Sequence, residues 1–166
     1  RHFALAWGRH LLRARDPDCA AAVVEPWTRS GVASDQLAWA LLGTAWRMNG
    51  DPRHDWLVNP ATLTRAVVLD ISADEMTATA EVLRKLHKAR EHPFDQTLRG
   101  GTQTEGTLFL RSDPAIVRLR LAIEAGIRTY IDGLPAADAA HPLLGRRRGA
   151  FRFTGSWSVR LRAGGT

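Results

Sequence analysis

Phe151-Arg152-Phe153-Thr154-Gly155-Ser156-Trp157-Ser158-Val159-Arg160-Leu161-Arg162 is the stretch on which the fold assignment turns. Five apolar residues and Gly155 hold the odd positions, and Arg, Thr and Ser hold the even ones, a strict two-residue alternation over 12 positions. This predicts a strand over 151–162 with one buried face. Gly155 predicts a bend or bulge within it. Ala163-Gly164-Gly165-Thr166 reads as a turn into a further strand. A two-faced strand of this length belongs to a larger sheet. Phe151, Phe153 and Trp157 are therefore expected to lack partners, and the isolated chain to be poorly soluble or partly disordered after residue 148.

Upstream the signals are helical. Leu134-Pro135 to His141-Pro142 predicts a linker rich in Ala and Pro. Asp113-Pro114 starts the longest helix, over 113–134, with Ile116, Leu119, Ile123, Ile127, Tyr130 and Ile131 on its buried side. Glu124, Arg128 and Asp132 are spaced to pair on its outer face. Ser72 and Glu75 predict a capping box opening a helix over 73–91, which stops before Pro93. The segment 98–106, Leu98-Arg99-Gly100-Gly101-Thr102-Gln103-Thr104-Glu105-Gly106, has neither period and predicts a loop. By composition it is an ordinary connection or the lining of a site. Ala66-Val67-Val68-Leu69 reads as a short strand, and 53–64 as irregular, anchored by Trp56 and Leu57.

Residues 1–52 predict three helices. The first, over 1–15, carries Phe3, Ala4, Trp7, Leu11 and Leu12 on one stripe. Asp16 as N-cap and Pro17 at the first helical position open the second, which runs to about Arg29, points Ala20, Val23, Val24 and Trp27 inward and has Gly31 as its stop signal. Ser34 caps the third, which Gly50-Asp51-Pro52 closes. Gly8 and Gly43 stand 35 residues apart. Trp39, Leu42, Gly43, Trp46, Gly50 and Asp51 fit the first helix of a tetratricopeptide repeat, and Trp7, Gly8, Leu11, Asp16, Ala20 and Val24 fit the frame more loosely. In such a frame Gly lets two helices approach while Trp and Leu fill the groove. The expectation is one repeat plus the first helix of another, with a plain helical hairpin as the alternative. The frame degrades after Asp51, where Asp55 stands in place of Ala.

The 166 residues, 45% of them hydrophobic, suffice for one core or two small ones. The net charge of +6 is local: residues 1–138 hold 17 bases and 17 acids, whereas 139–166 hold six arginines and no acid. A basic end fits nucleic acid or an acidic ligand. Twenty-one arginines against two lysines, however, reflect genome composition more than phosphate chemistry. One cysteine excludes an internal disulfide. Cys19 lies in a first helical turn, where a thiol pKa can drop, though a small buried side chain is the plainer expectation. There is no P-loop, no dinucleotide fingerprint, no nucleophile elbow and no His with Asp or Glu two positions on. His87 and Glu91 share a helical face, but two ligands do not make a metal site and a surface ion pair is preferred. Arg146–Arg148 suit phosphate but lack an aromatic platform, so a solvated loop is preferred.

From His92 to Thr166 the sequence resembles the front part of a bacterial family of Fe(II)/2-oxoglutarate-dependent oxygenases. The resemblance rests on His92-Pro93, on Asp95 through Gly106, on Asp113-Pro114 and on Phe151 through Leu161. Members often carry tetratricopeptide repeats upstream. The resemblance implies a double-stranded β-helix whose iron ligands and 2-oxoglutarate-gripping arginine follow the Gly164-Gly165 turn, so none can be carried onto this sequence. It implies a mouth bordered by Arg99, Thr102, Gln103 and Thr104, with Ser158 and Arg160 on the first barrel strand facing cofactor or scaffold.

The expected fold class is thus mainly α (α+β). Tetratricopeptide-like helices over 1–52 precede the N-terminal part of an oxygenase domain over 53–166, with two further helices and the first strand of an incomplete double-stranded β-helix. The expected function is that of an N-terminal fragment, itself inactive, of a cytoplasmic dioxygenase that uses Fe(II) and 2-oxoglutarate when intact. No cofactor is expected on this chain and no membrane partner. The alternatives are a non-enzymatic module whose repeats bind a peptide or protein and, ranked last, a nucleic-acid binder acting through residues 146–162.

Overall fold

The computed structural model describes residues 1–29, 35–89, 98–147 and 149–165. The signals expected at Gly31, Ser34, Glu91, Pro93, the rest of 92–97, Arg148 and Thr166 lie outside the described residues. The chain is mainly helical with a two-stranded antiparallel sheet, in two units: Arg1–Arg65 with Leu134–Gly149, and Ala66–Gly133 with Ala150–Thr166. No helix among the described residues is long and apolar enough to cross a membrane.

The first unit begins with α1 (His2–Arg13) and α2 (Pro17–Val24), followed by a 3-10 turn at Glu25–Trp27 and by α3 (Asp35–Asn49). Asp16 caps α2 as expected, its side chain accepting from the Cys19 N–H at 3.1 Å with Pro17 at the first position. Two short helices, α4 (Arg53–Leu57) and α5 (Pro60–Leu63), occupy the stretch expected to be irregular. Leu5, Val24, Ala38, Leu41, Leu42, Trp46 and Leu57 form one core cluster. Each fully buried aliphatic in it is worth roughly 1.5–3 kcal/mol. The buried stripe of α1 is Leu5, Gly8 and Leu11. Phe3 is 80% exposed, so the stripe expected through Phe3 and Trp7 is rotated by about one residue.

The 35-residue period has a physical counterpart. The Asp16 N–H donates to the Leu11 carbonyl at 2.9 Å, and the Asp51 N–H to the Trp46 carbonyl at 2.9 Å. Just before each aspartate is a left-handed residue, Arg15 (φ 59°) and Gly50 (φ 65°), and just after each is a proline. Gly8 and Gly43 also share a role. A Cβ on Gly8 would collide with Val24 Cγ1, and one on Gly43 would meet Leu57 Cδ2 at 2.9 Å. The match ends with α4, which at five residues is too short to repeat α2.

Residues 134–149 are not a linker. Leu134, His141 and Leu144 are buried in the first unit. The His141 Nε2 donates to the Leu57 carbonyl at 3.2 Å, while its Nδ1 accepts from the Leu143 and Leu144 N–H groups at 3.1 and 3.2 Å. Only one tautomer satisfies that set, because the carbonyl cannot donate. Trp56 Nε1 donates to Asp138 at 2.9 Å, and the Arg147 guanidinium donates to the Pro135 carbonyl.

In the second unit α6 (Ala73–Leu86) packs against α7 (Pro114–Asp132). The Ser72–Glu75 capping box forms, at 3.2 and 2.7 Å, and Arg118 from α7 reaches Glu75 at 2.6 Å. The Ser72 N–H and the Arg118 guanidinium hold the Glu75 carboxyl below the usual carboxylate range. Helix α6 stops at Leu86, short of the expected 91, and His87 is its C-cap. Residues 66–69 form no strand. Leu69 and Val67 lie on Gly126 of α7, where a Cβ would stand 2.8 and 3.6 Å from them, and Val68 between them is 96% exposed. Alternation here comes from resting on a helix, with no strand to pair. On α7, Glu124 pairs with Arg120 at 2.8 Å, and Arg128 lies over the Phe151 ring at 5.9 Å.

Candidate functional site

The loop expected over 98–106 contains β1 (Gly101–Gln103), which pairs antiparallel with β2 (Val159–Leu161). The register sets Gly101 against Leu161, Thr102 against Arg160 and Gln103 against Val159. Further hydrogen bonds prolong the pairing both ways. The Arg162 N–H donates to the Gly100 carbonyl at 2.9 Å, the Thr104 N–H to the Ser158 carbonyl at 3.0 Å, and the Leu108 N–H to the Ser156 carbonyl at 2.7 Å. Gly100 (φ 63°) stands so close to the returning chain that a Cβ on it would lie 2.9 Å from Gly165 Cα. The two glycine pairs of the sequence are the places where these backbones meet.

Four of the six expected mouth residues are brought together, and His87 joins them. Its Nδ1 is hydrogen-bonded to Thr102 Oγ1 at 2.8 Å and its Nε2 to Ser158 Oγ at 3.1 Å. Ser158 N–H donates to Thr104 Oγ1 at 2.9 Å. Arg160 sits opposite Thr102 and is near enough for its charge to act on the ring. Partial burial, and then the Arg160 charge, hold the His87 imidazole below its ordinary pKa. Gln103 is partly buried on β1, and Arg99 is exposed just before it, donating to the Leu98 carbonyl at 2.9 Å.

The regular strand is three residues, all exposed, where the alternation predicts 151–162, and at 156–158 just before it the expected facing is reversed. Ser156 is buried, its Oγ accepting from the Phe109 N–H at 2.9 Å, and Ser158 is partly buried against His87. Trp157 is 58% exposed, and Val159 and Leu161 also face outward. Phe151 and Phe153 are half-buried, Phe153 meeting Phe109 edge to face at 4.9 Å. The hydroxyls turn inward because they have donors and acceptors waiting. Beside the pair lies an open cleft of about 440 Å³, lined in part by Leu83, Leu108, Phe109, Leu119, Ile123 and Trp157.

Chemically the cluster is a brace. Ser158 and His87 are within reach of a nucleophile–base pair, but the group behind His87 is the Thr102 hydroxyl, and among the described residues no carboxylate is hydrogen-bonded to the ring to steady an imidazolium. Among the described residues no group of three or more His, Cys, Asp or Glu is placed to hold a metal ion, and both nitrogens of His87 are engaged. The described residues of this cluster do not by themselves fit an iron centre. His87 was visible in the sequence only as a metal candidate with Glu91, inside the helix expected over 73–91; that α6 ends just before it had no signal in the sequence. Cys19 is exposed, contrary to the expectation of burial, and the Asp16 carboxylate beside it pushes the thiol pKa up where the helix start suggests a fall. No family model matches this sequence, and no match is found among curated proteins or among solved structures.

Proposed function

We propose that the chain is the N-terminal part of an Fe(II)/2-oxoglutarate-dependent oxygenase, with tetratricopeptide-like helices ahead of the first elements of a double-stranded β-helix. One observation carries this reading. Two of the segments on which the resemblance rests, 54 positions apart at Thr104 and Ser158, pair in register and share His87. On this reading β1 and β2 form the rim of a pocket. Thr102, Thr104, Ser158 and His87 hold the rim in shape, Arg160 lies on the first barrel strand, and Arg99 and Gln103 border the mouth. No ligand and no reaction step is assigned to these residues, since they do not make an iron site. The 35-residue corner geometry supports the tetratricopeptide-like label for the first unit.

Two measurements test the reading. The reading frame encoding this chain is expected to supply clustered histidines soon after the Gly164-Gly165 turn, then a later His and Arg. The intact protein is expected to release succinate from 2-oxoglutarate only with iron present. A frame without such residues, or iron-independent behaviour, removes the oxygenase and leaves the repeat module with a peptide or protein partner.

A further inference from the structure

The first unit contains a cavity of about 870 Å³ that the oxygenase reading does not use. Its walls include Trp39, Trp46 and Trp56, with His141 behind Trp56 at 4.9 Å. Arg29, Arg53 and Arg146 also line it. Arg53 lies over the Trp46 ring at 4.7 Å and is held by Asp51 at 2.6 Å, with Glu25 at 3.7 Å. Glu25 is the one acid among the described lining residues, and Arg53 answers it. Arg29 and Arg146 have no ion-pair partner among the described residues. The lining thus combines Arg29 and Arg146 with Trp39 and Trp56, while Arg53, shared by Asp51 and Glu25, covers the Trp46 face.

That combination has a definite ligand chemistry. Indole faces take a flat π system by stacking, and guanidinium groups take a phosphate or carboxylate through paired N–H donors. The volume lies in the range of small-molecule sites, roughly 300–1,000 Å³. The sequence sets Arg146 aside as a solvated charge for want of an aromatic platform; the fold supplies that platform from α3 and α4. We propose that this cavity binds a small planar aromatic anion, a ring stacked on the tryptophan wall with its acidic group on Arg29 and Arg146. It stands or falls separately from the oxygenase reading.

The test uses intrinsic tryptophan fluorescence of the whole chain, titrated with AMP, nicotinate, adenosine and inorganic phosphate. AMP or nicotinate is expected to quench and saturate, and the tighter of the two identifies the acidic group. Adenosine and phosphate, each lacking half the chemistry, are expected to bind at least about tenfold more weakly. The double variant Arg29→Ala/Arg146→Ala alters two exposed side chains, so its thermal melt is expected to be unchanged while anion affinity falls at least about tenfold. Absence of saturable quenching by either anion overturns the proposal. So does adenosine binding as tightly as AMP, or a double variant that binds like the parent. An acidic peptide or single-stranded oligonucleotide that binds more tightly than both small anions also overturns it, in favour of a macromolecular partner.

Discussion

The helical unit and the strand pair bury opposite things. Around α1–α4 the interior is Leu, Val, Ala and Trp, and close packing decides which face of each helix turns in. Between β1 and β2 the buried positions are Thr102, Thr104 and Ser156, while Trp157, Val159 and Leu161 face out. The difference lies in what each element has to lean on. A helix satisfies its own backbone and is free to offer its apolar stripe to a neighbour. In the strand pair the hydroxyls hold the inner face by completing hydrogen bonds.

The largest test of this contrast is on the packing side. Gly8→Ala drives a methyl into Val24, a fully buried β-branched side chain, and is expected to cost about 3 kcal/mol in denaturant unfolding. Gly43→Ala meets only the tip of Leu57 and is expected to cost about 1 kcal/mol. Equal costs would mean that the two corners are as alike in packing as in backbone, against the difference in neighbours seen here.

On the polar side, His87→Ala strands the Thr102 and Ser158 hydroxyls and is expected to cost about 1–2 kcal/mol. Its pH dependence has a definite sign. The folded-state pKa lies below the unfolded value near 6.5, so the unfolded chain binds the proton first. Stability at His87 is therefore complete above that value and declines as pH falls through it toward the folded pKa. Melting curves on either side of pH 6.5 are expected to show the decline in the parent and a flatter profile in His87→Gln; parallel profiles would remove the ring from the account.

Ser156→Ala is expected to cost about 1 kcal/mol through the Phe109 N–H left behind. Trp157→Ser, although it deletes a far larger side chain, is expected to stay within about 0.5 kcal/mol and to reduce self-association in sedimentation. The opposite order would restore the apolar face to the interior.

Local grammar was readable from residues alone. Asp16-Pro17 and the Ser72–Glu75 box open the helices they predict, and Gly8 and Gly43 lie where helices touch. The pairing of 98–106 with 151–162 was not foreseen: 98–106 read as a loop, and the resemblance set it only at a mouth. What escaped the sequence depends on distant partners. Alternation at 156–161 says that two faces differ, not which one turns in. Residues 66–69 have strand composition but meet α7, and 134–149 have linker composition but carry His141 back to Leu57. His87 enters the candidate site through hydroxyls 15 and 71 positions away, a separation no local spacing encodes.

The return of residues 134–149 to the first unit bears on how the molecule comes into being. The helical unit is discontinuous along the chain: its first part is complete at Arg65, and its closing bolt at His141 arrives only after residues 66–133 have been made. During synthesis, at roughly 5–20 residues per second, α1–α5 must therefore wait several seconds with the Leu57 carbonyl and the Trp56 indole still unanswered. A ribosome stalled near residue 133 would hold a helical unit with its cavity wall open on one side.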